Sequence, residues 1–209
     1  MKKTLCILLV LAFACGFAVA QESAPKGVQP NVVQAAFYTA TYQCIYLKSV
    51  DEVGGSIEPN KWNTYSTKID KNAVTYDGMS GKRSGYNVIR VKSNTKKSGE
   101  EVVLYVDNVK IVDGSGKTVL LLDFEDGEPG PVYVSQGRKV AKDSEPAKAV
   151  EFDGRKCFLM HMKSQSLYGS IGLEVQWPLP ENEKDPKKTW DFTKGDYTVS
   201  FDFYIAVAN

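Results

Sequence analysis

Histidine is nearly missing from this chain: His161 is the only one. Histidine-built metal centres and histidine-shuttled proton chemistry are confined to that single residue. It lies in KCFLMHM, an apolar run where a packed neutral ring is the expected state, and no nucleophile elbow or triad pattern accompanies it. Charge of one sign is also lacking. Lys and Arg number 26 against 25 Asp and Glu, mixed throughout, which excludes the basic stripe that a nucleic-acid surface needs. Cysteine is sparse, and only Cys44 and Cys157 fall outside the first twenty residues. Their spacing is not that of a zinc knuckle, and it leaves open one disulfide or two buried thiols.

Long apolar runs are absent except at the start. Lys2 and Lys3, an apolar stretch from Leu5 to Val19 and the small-x-small end Ala18-Val19-Ala20 predict a secretory leader over 1–20, cleaved before Gln21. The mature chain then has no transmembrane segment and is secreted, to the periplasm, the cell surface or the medium. A lipid anchor on Cys15 is disfavoured, because Ala12-Phe13-Ala14 is a poor match to a leucine-led lipobox.

What the chain does have is period-two hydrophobicity. Residues 21–34, with Pro25, Gly27 and Pro30, read as a flexible tether, and 35–209 as one domain long enough to bury a core without staples. Strands are predicted at Ala35–Ser49, Trp62–Ile69, Tyr86–Lys92, Val102–Val112, Thr118–Phe124, Val132–Ser135, Ala149–Phe152, Lys156–Met162, Ile171–Trp177 and Tyr197–Ala206. Asp153-Gly154 is a hairpin signal, while Tyr76-Asp77-Gly78 and Ser80–Gly85 read as surface loops. An all-β antiparallel sandwich follows, and helical classes are excluded. The apolar face of Tyr197–Ala206 predicts a strand paired centrally or continued by another chain.

The organising stretch is Glu101–Gly130, EVVLYVDNVKIVDGSGKTVLLLDFEDGEPG. Alternation runs through Val102, Leu104 and Val106, slips at Asp107-Asn108, and resumes at Val109 and Ile111. That slip predicts a β-bulge which turns a carboxylate towards the strand kink. The acidic run after Phe124 lies in a turn.

Asp123-Phe124-Glu125-Asp126-Gly127, Tyr197–Ile205, Trp62–Ile69 and Tyr105-Val106-Asp107-Asn108-Val109 each resemble elements of bacterial jelly-roll carbohydrate-binding modules of the galactose-binding-like type. Their order here departs from that pattern, with the closing elements first. The resemblance therefore implies a circularly permuted jelly roll with its seam at Asp113–Lys117, or the end of one module followed by the beginning of another. It also implies a structural calcium between Glu125 and Asp107, with Asp123 and Asp126 nearby.

Sugar binding needs aromatic faces with polar partners, and the candidates are Trp190, Tyr168, Trp177, Tyr86 and Trp62. Trp62 reads as core from its strand position, and Trp177 precedes a proline at a strand end. Trp190, among Lys188, Thr189 and Asp191, is the preferred platform. Three classes stay open: a non-catalytic module binding a polysaccharide, a structural or adhesive envelope protein that self-associates or captures a protein partner, and a glycan-active hydrolase or lyase. The last would draw its acids from Glu174, Asp202 and Glu151.

Overall fold

The computed structural model of the chain describes residues 24–39, 43–78, 80–81, 84–94, 97, 99–125, 133–135, 148–163, 171–176, 190–193 and 195–208. Within them run β1 (Val32–Thr39), β2 (Cys44–Ser49), β3 (Trp62–Lys68), β4 (Val74–Asp77), β5 (Ser84–Asn94), β6 (Glu101–Asp113) and β7 (Thr118–Leu122). There follow β8 (Tyr133–Ser135), β9 (Lys148–Phe152), β10 (Arg155–Lys163), β11 (Ile171–Gln176), β12 (Trp190–Asp191) and β13 (Tyr197–Ile205). They form two sheets, one ordered β4-β2-β1-β5-β11-β8 with β12 also on β5, the other β3-β13-β6-β10-β9 with β7 also on β6. Every strand pairing is antiparallel. Among the described residues no helix is long and apolar enough to cross a membrane.

The expected all-β sandwich is what the chain forms, because alternation gives each sheet one apolar face to bury. Val33, Ala35 and Phe37 of β1, Ile45 and Leu47 of β2, and Ile89 and Val91 of β5 meet Val102, Leu104 and Val106 of β6 and the inner face of β13. Strand β13 lies between β3 and β6, paired on both sides inside its sheet rather than left at an edge. Its inward Val199, Phe201, Phe203 and Ile205 are at most 1% exposed. Together they contribute a gross burial of about 6–12 kcal/mol. A hydrogen bond also ties the sheets, since Tyr65 Oη of β3 donates to the Lys48 carbonyl of β2 at 2.7 Å.

The predicted bulge in β6 is present. Asp202 pairs with Asp107 and Ser200 with Lys110, so Asn108 and Val109 together face Phe201 alone. Asn108 takes φ 51°, a left-handed value that asparagine tolerates. The inserted residue switches the buried positions of β6 from 102, 104 and 106 to 109 and 111, which keeps one apolar face across a thirteen-residue strand. The bulge also divides the strand's far edge: β10 pairs with residues 101–106 and β7 with 109–112. Asp107 thus stands where three strands meet. Between β9 and β10, Asp153 and Gly154 adopt φ 51° and 73°, the paired positive values of a tight hairpin turn, as their dipeptide predicts.

Three readings of the sequence are corrected. Ala35–Ser49 is two strands, β1 and β2, with Ala36 opposite Tyr46 and Tyr38 opposite Cys44. No Gly, Pro, Asn or Asp stands at positions 40–43 between them, so composition carried no signal there. The supposed surface loop at Tyr76-Asp77 is the end of edge strand β4, paired to β2. Finally, β1 begins at Val32, inside the stretch read as a tether, and the residues before it are also tied down. Gly27 N donates to Ala206 O and Val28 N to Glu101 O, each at 2.8 Å, where β13 and β6 part. Gly27 suits that cleft because an added Cβ would lie 2.5 Å from the Glu101 carbonyl oxygen. The leader predicted over 1–20 lies outside the described residues.

Candidate functional site

Alternation that fills the core also decides what each sheet shows on its other face. On the seven-stranded sheet the register sets Tyr76 of β4 opposite Tyr46 of β2, Tyr46 opposite Ala36 of β1, and Ala36 opposite Arg90 of β5. One row thus crosses four strands. Tyr38 lies one outward step along β1, and it forms a cluster with Ala36, Cys44 and Tyr46 separate from the core. The Tyr46 and Tyr76 rings are 5.0 Å apart and the Tyr38 and Tyr46 rings 6.3 Å.

Among the described residues, two cations contact these rings. Lys92 Nζ sits 3.7 Å from the Tyr46 ring centroid, and the Arg90 guanidinium 4.6 Å from that of Tyr38, whose hydroxyl oxygen it also approaches at 3.3 Å. Such ring–cation contacts contribute about 0.5–2 kcal/mol each and fix the direction in which the charge points. Burial pushes the Tyr38 and Tyr46 hydroxyls and the Cys44 thiol above their ordinary ranges, with Arg90 pulling the other way. All three stay neutral at physiological pH. Exposure is graded along the row, from Tyr38 at 5% to Tyr76 at 52%. A sugar's C–H face can stack on Tyr76, while hydroxyls and charges supply polar partners beside it.

The opposite outer face, on the six-stranded sheet, is built differently. Trp62, Tyr105, Phe152 and Tyr204 pack there with Val103, Cys157 and Leu159. The Tyr105 and Phe152 rings stack at 3.8 Å, and Trp62 meets Tyr204 edge-on at 5.8 Å. Arg155 lies 4.5 Å over the Trp62 ring and 3.2 Å from Asp202 Oδ2. Thr64 Oγ1 and Asn108 Nδ2 donate to the same Asp202 carboxylate. Beside this cluster Phe152, Tyr204, Asn60 and the segment Ala24–Lys26 line a shallow cleft of about 250 Å³.

Of the residues nominated for sugar binding, Trp62 therefore has one face under Arg155 and an edge against Tyr204. Tyr86 is wholly buried, its ring against Phe37 and Phe192, so it has no face to offer. Trp190 is opposite Tyr86 in the β12–β5 register. Tyr168 and Trp177 lie outside the described residues. The sequence reading missed Tyr38, Tyr46, Tyr76, Arg90 and Lys92 as a set. Their only local signals were the alternation of IRVK and the four-residue spacing of Tyr38, Tyr42 and Tyr46, which a helix could also give.

Among the metal candidates, Asp107 is 5% exposed, and its carboxyl is pushed up chiefly by burial, with Asp202 and Glu125 adding and the Asn108 N–H and Arg155 opposing. Glu125 is thus among the charges that act on Asp107. Each already has a cation at hand: Arg155 is 3.7 Å from Asp107 Oδ2, and Lys156 Nζ is 3.8 Å from Glu125 Oε2 and donates to the Glu125 carbonyl at 2.6 Å. Asp123 Oδ1 caps the Glu125 N–H at 3.4 Å, and Asp126 lies outside the described residues. No group of three or more His, Cys, Asp or Glu able to hold a metal occurs among the described residues.

The acids nominated for hydrolysis do not converge. Glu174 belongs to the seven-stranded sheet and Asp202 to the other, where its oxygens are taken by Thr64, Asn108 and Arg155, while Glu151 is exposed on edge strand β9. His161 Nε2 lies 3.1 Å from Glu101 Oε2 across the β10–β6 pair. Cys44 and Cys157 are both free thiols, buried in the outer clusters of different sheets, which settles the alternative their spacing left open. No family model matches the chain, nor does any curated protein or solved structure.

Proposed function

We propose that the chain is a secreted, non-catalytic β-sandwich that binds a glycan on the outer face of its seven-stranded sheet. The observation that carries this is the tyrosine row: an exposed Tyr76 ring beside Tyr46, with Lys92 held over Tyr46. Aromatic platforms of this kind present wide apolar area with little side-chain entropy to lose, and a polar hydroxyl at the rim. A row across strands suits an extended polysaccharide. A purely structural or adhesive role has less support, since Val53, Tyr76 and Leu121 are the only large apolar side chains exposed among the described residues.

The permuted jelly-roll reading and the calcium belong to the same proposal. They are supported by the place of β13 between β3 and β6, by the hairpin that Asp113–Lys117 makes between β6 and β7, and by Glu125 being among the charges that raise the Asp107 carboxyl. Asp107 and Glu125 would hold the ion, which would pin the end of β7 to the β6 bulge.

Affinity electrophoresis and calorimetry against a panel of soluble polysaccharides test the glycan site. Tyr76→Ala, on an edge strand and largely solvated, should leave the melting temperature nearly unchanged and weaken binding about tenfold, the loss of one stacking contact of roughly 1.5 kcal/mol. Unchanged affinity in the variant, or release of reducing ends by the wild type, would sink the proposal.

A further inference from the structure

We infer that β3 is a docking edge for a second copy of this chain, the two β3 strands pairing antiparallel about a twofold axis at Tyr65 so that the six-stranded sheet runs on from one protomer into its partner. Of the four strands that end the two sheets, β3 is the longest, seven residues against four, three and five for β4, β8 and β9. It pairs with β13 along its whole length without a register break. Among the described residues no other backbone hydrogen bond reaches it. An edge of that kind presents a row of free N–H and C=O groups, which chains guard with charge, proline or a bulge. Strand β9 (KAVEF) carries a lysine and a glutamate, and β4 (VTYD) is short and ends in an acid. By contrast β3 (WNTYSTK) has no proline, glycine or bulge, and its one charge, Lys68, stands at its end. Thr64, Ser66 and Lys68 are all exposed.

About Tyr65 the strand is its own complement. A twofold there sets Thr64 opposite the partner's Ser66, Asn63 opposite the partner's Thr67 and Trp62 opposite the partner's Lys68, and each pair occurs twice. Hydroxyls directly opposite one another can bond across the strands. The charges fit as well. The two Lys68 ammoniums fall at opposite ends of the contact, each beside an indole rather than another cation. Because both copies use the same patch, the assembly closes at two. Seven residues in extended form span only about 24 Å. Such a strip is small beside a standard interface, so the dimer is weak, with a dissociation constant in the micromolar range or above.

Sedimentation velocity of the protein from about 5 to about 500 µM reads the association, and the wild type should pass from monomer to dimer across that range. Thr64→Lys and Ser66→Lys in one chain set lysine against lysine on both sides of the axis. That variant should associate at least about tenfold more weakly, with its melting temperature at low concentration nearly unchanged because both positions are exposed. A cysteine pair reads the register independently of that variant's folding. Thr64→Cys mixed with Ser66→Cys should form a disulfide-linked dimer under mild oxidation, faster than either variant alone, while the buried Cys44 and Cys157 stay out of the reaction. A wild type that stays monomeric throughout, an association that the lysines leave unchanged, or cross-linking no faster in the mixture than in either cysteine variant alone overturns the inference.

Discussion

Phe201→Ala should destabilise the fold by about 3–5 kcal/mol, the range for deleting a fully buried phenylalanine. The cost arises from position as much as size. Phe201 is 1% exposed, stacks on Tyr65 at 4.8 Å and touches Phe203, and it is the single residue that faces the two-residue bulge of β6. Strand pairing on both sides prevents β13 from moving in to fill the void. Chemical denaturation of the variant measures the loss. A change under about 1 kcal/mol, typical of surface substitutions, would mean that β13 is not held between β3 and β6 in the core.

Arg155→Ala should cost about 1–2 kcal/mol at neutral pH, a figure already discounted because the guanidinium is 40% exposed and solvent screens it. The substitution leaves Asp107 buried without its cation and Asp202 without one of its three partners. The pH dependence has a definite sign. The carboxyl of Asp107 is raised in the fold, chiefly by burial, so its contribution is most favourable where it is protonated and declines as pH rises through its folded value. Without Arg155 that decline grows, and the gap between variant and wild type should widen from acid to neutral pH. Thermal melts across that range measure it, and a gap that is constant with pH would contradict the assignment. The same melts with calcium or a chelator address the ion. Stabilisation by calcium, lost in Asp107→Asn, would support a metal at Asp107 and Glu125, whereas no response would leave Arg155 and Lys156 as the counter-charges.

Much of the framework was legible because it is written in period two. The slip at Asp107-Asn108 located the bulge, Asp153-Gly154 located a hairpin, and the alternation of Tyr197–Ile205 marked a strand with one buried face. Alternation says which residues share a face but not which face is covered, and Tyr86 was misjudged for that reason. The tyrosine row was not legible at all. It depends on β4 pairing with β2 across a gap of twenty-odd residues, and on β1 pairing with β2, between which no turn-forming residue stands. Asp107 and Glu125 were nominated by resemblance, but their cations Arg155 and Lys156 arrive from β10, which no local pattern connects to them.

The most direct test of the glycan face is backbone and aromatic NMR of the labelled protein titrated with a soluble oligosaccharide taken from the panel above. Shift changes should centre on Tyr46, Tyr76, Arg90 and Lys92 and leave Trp62, Phe152 and Tyr204 unmoved. Changes confined to Trp62, Phe152 and Tyr204 on the opposite sheet would contradict the account.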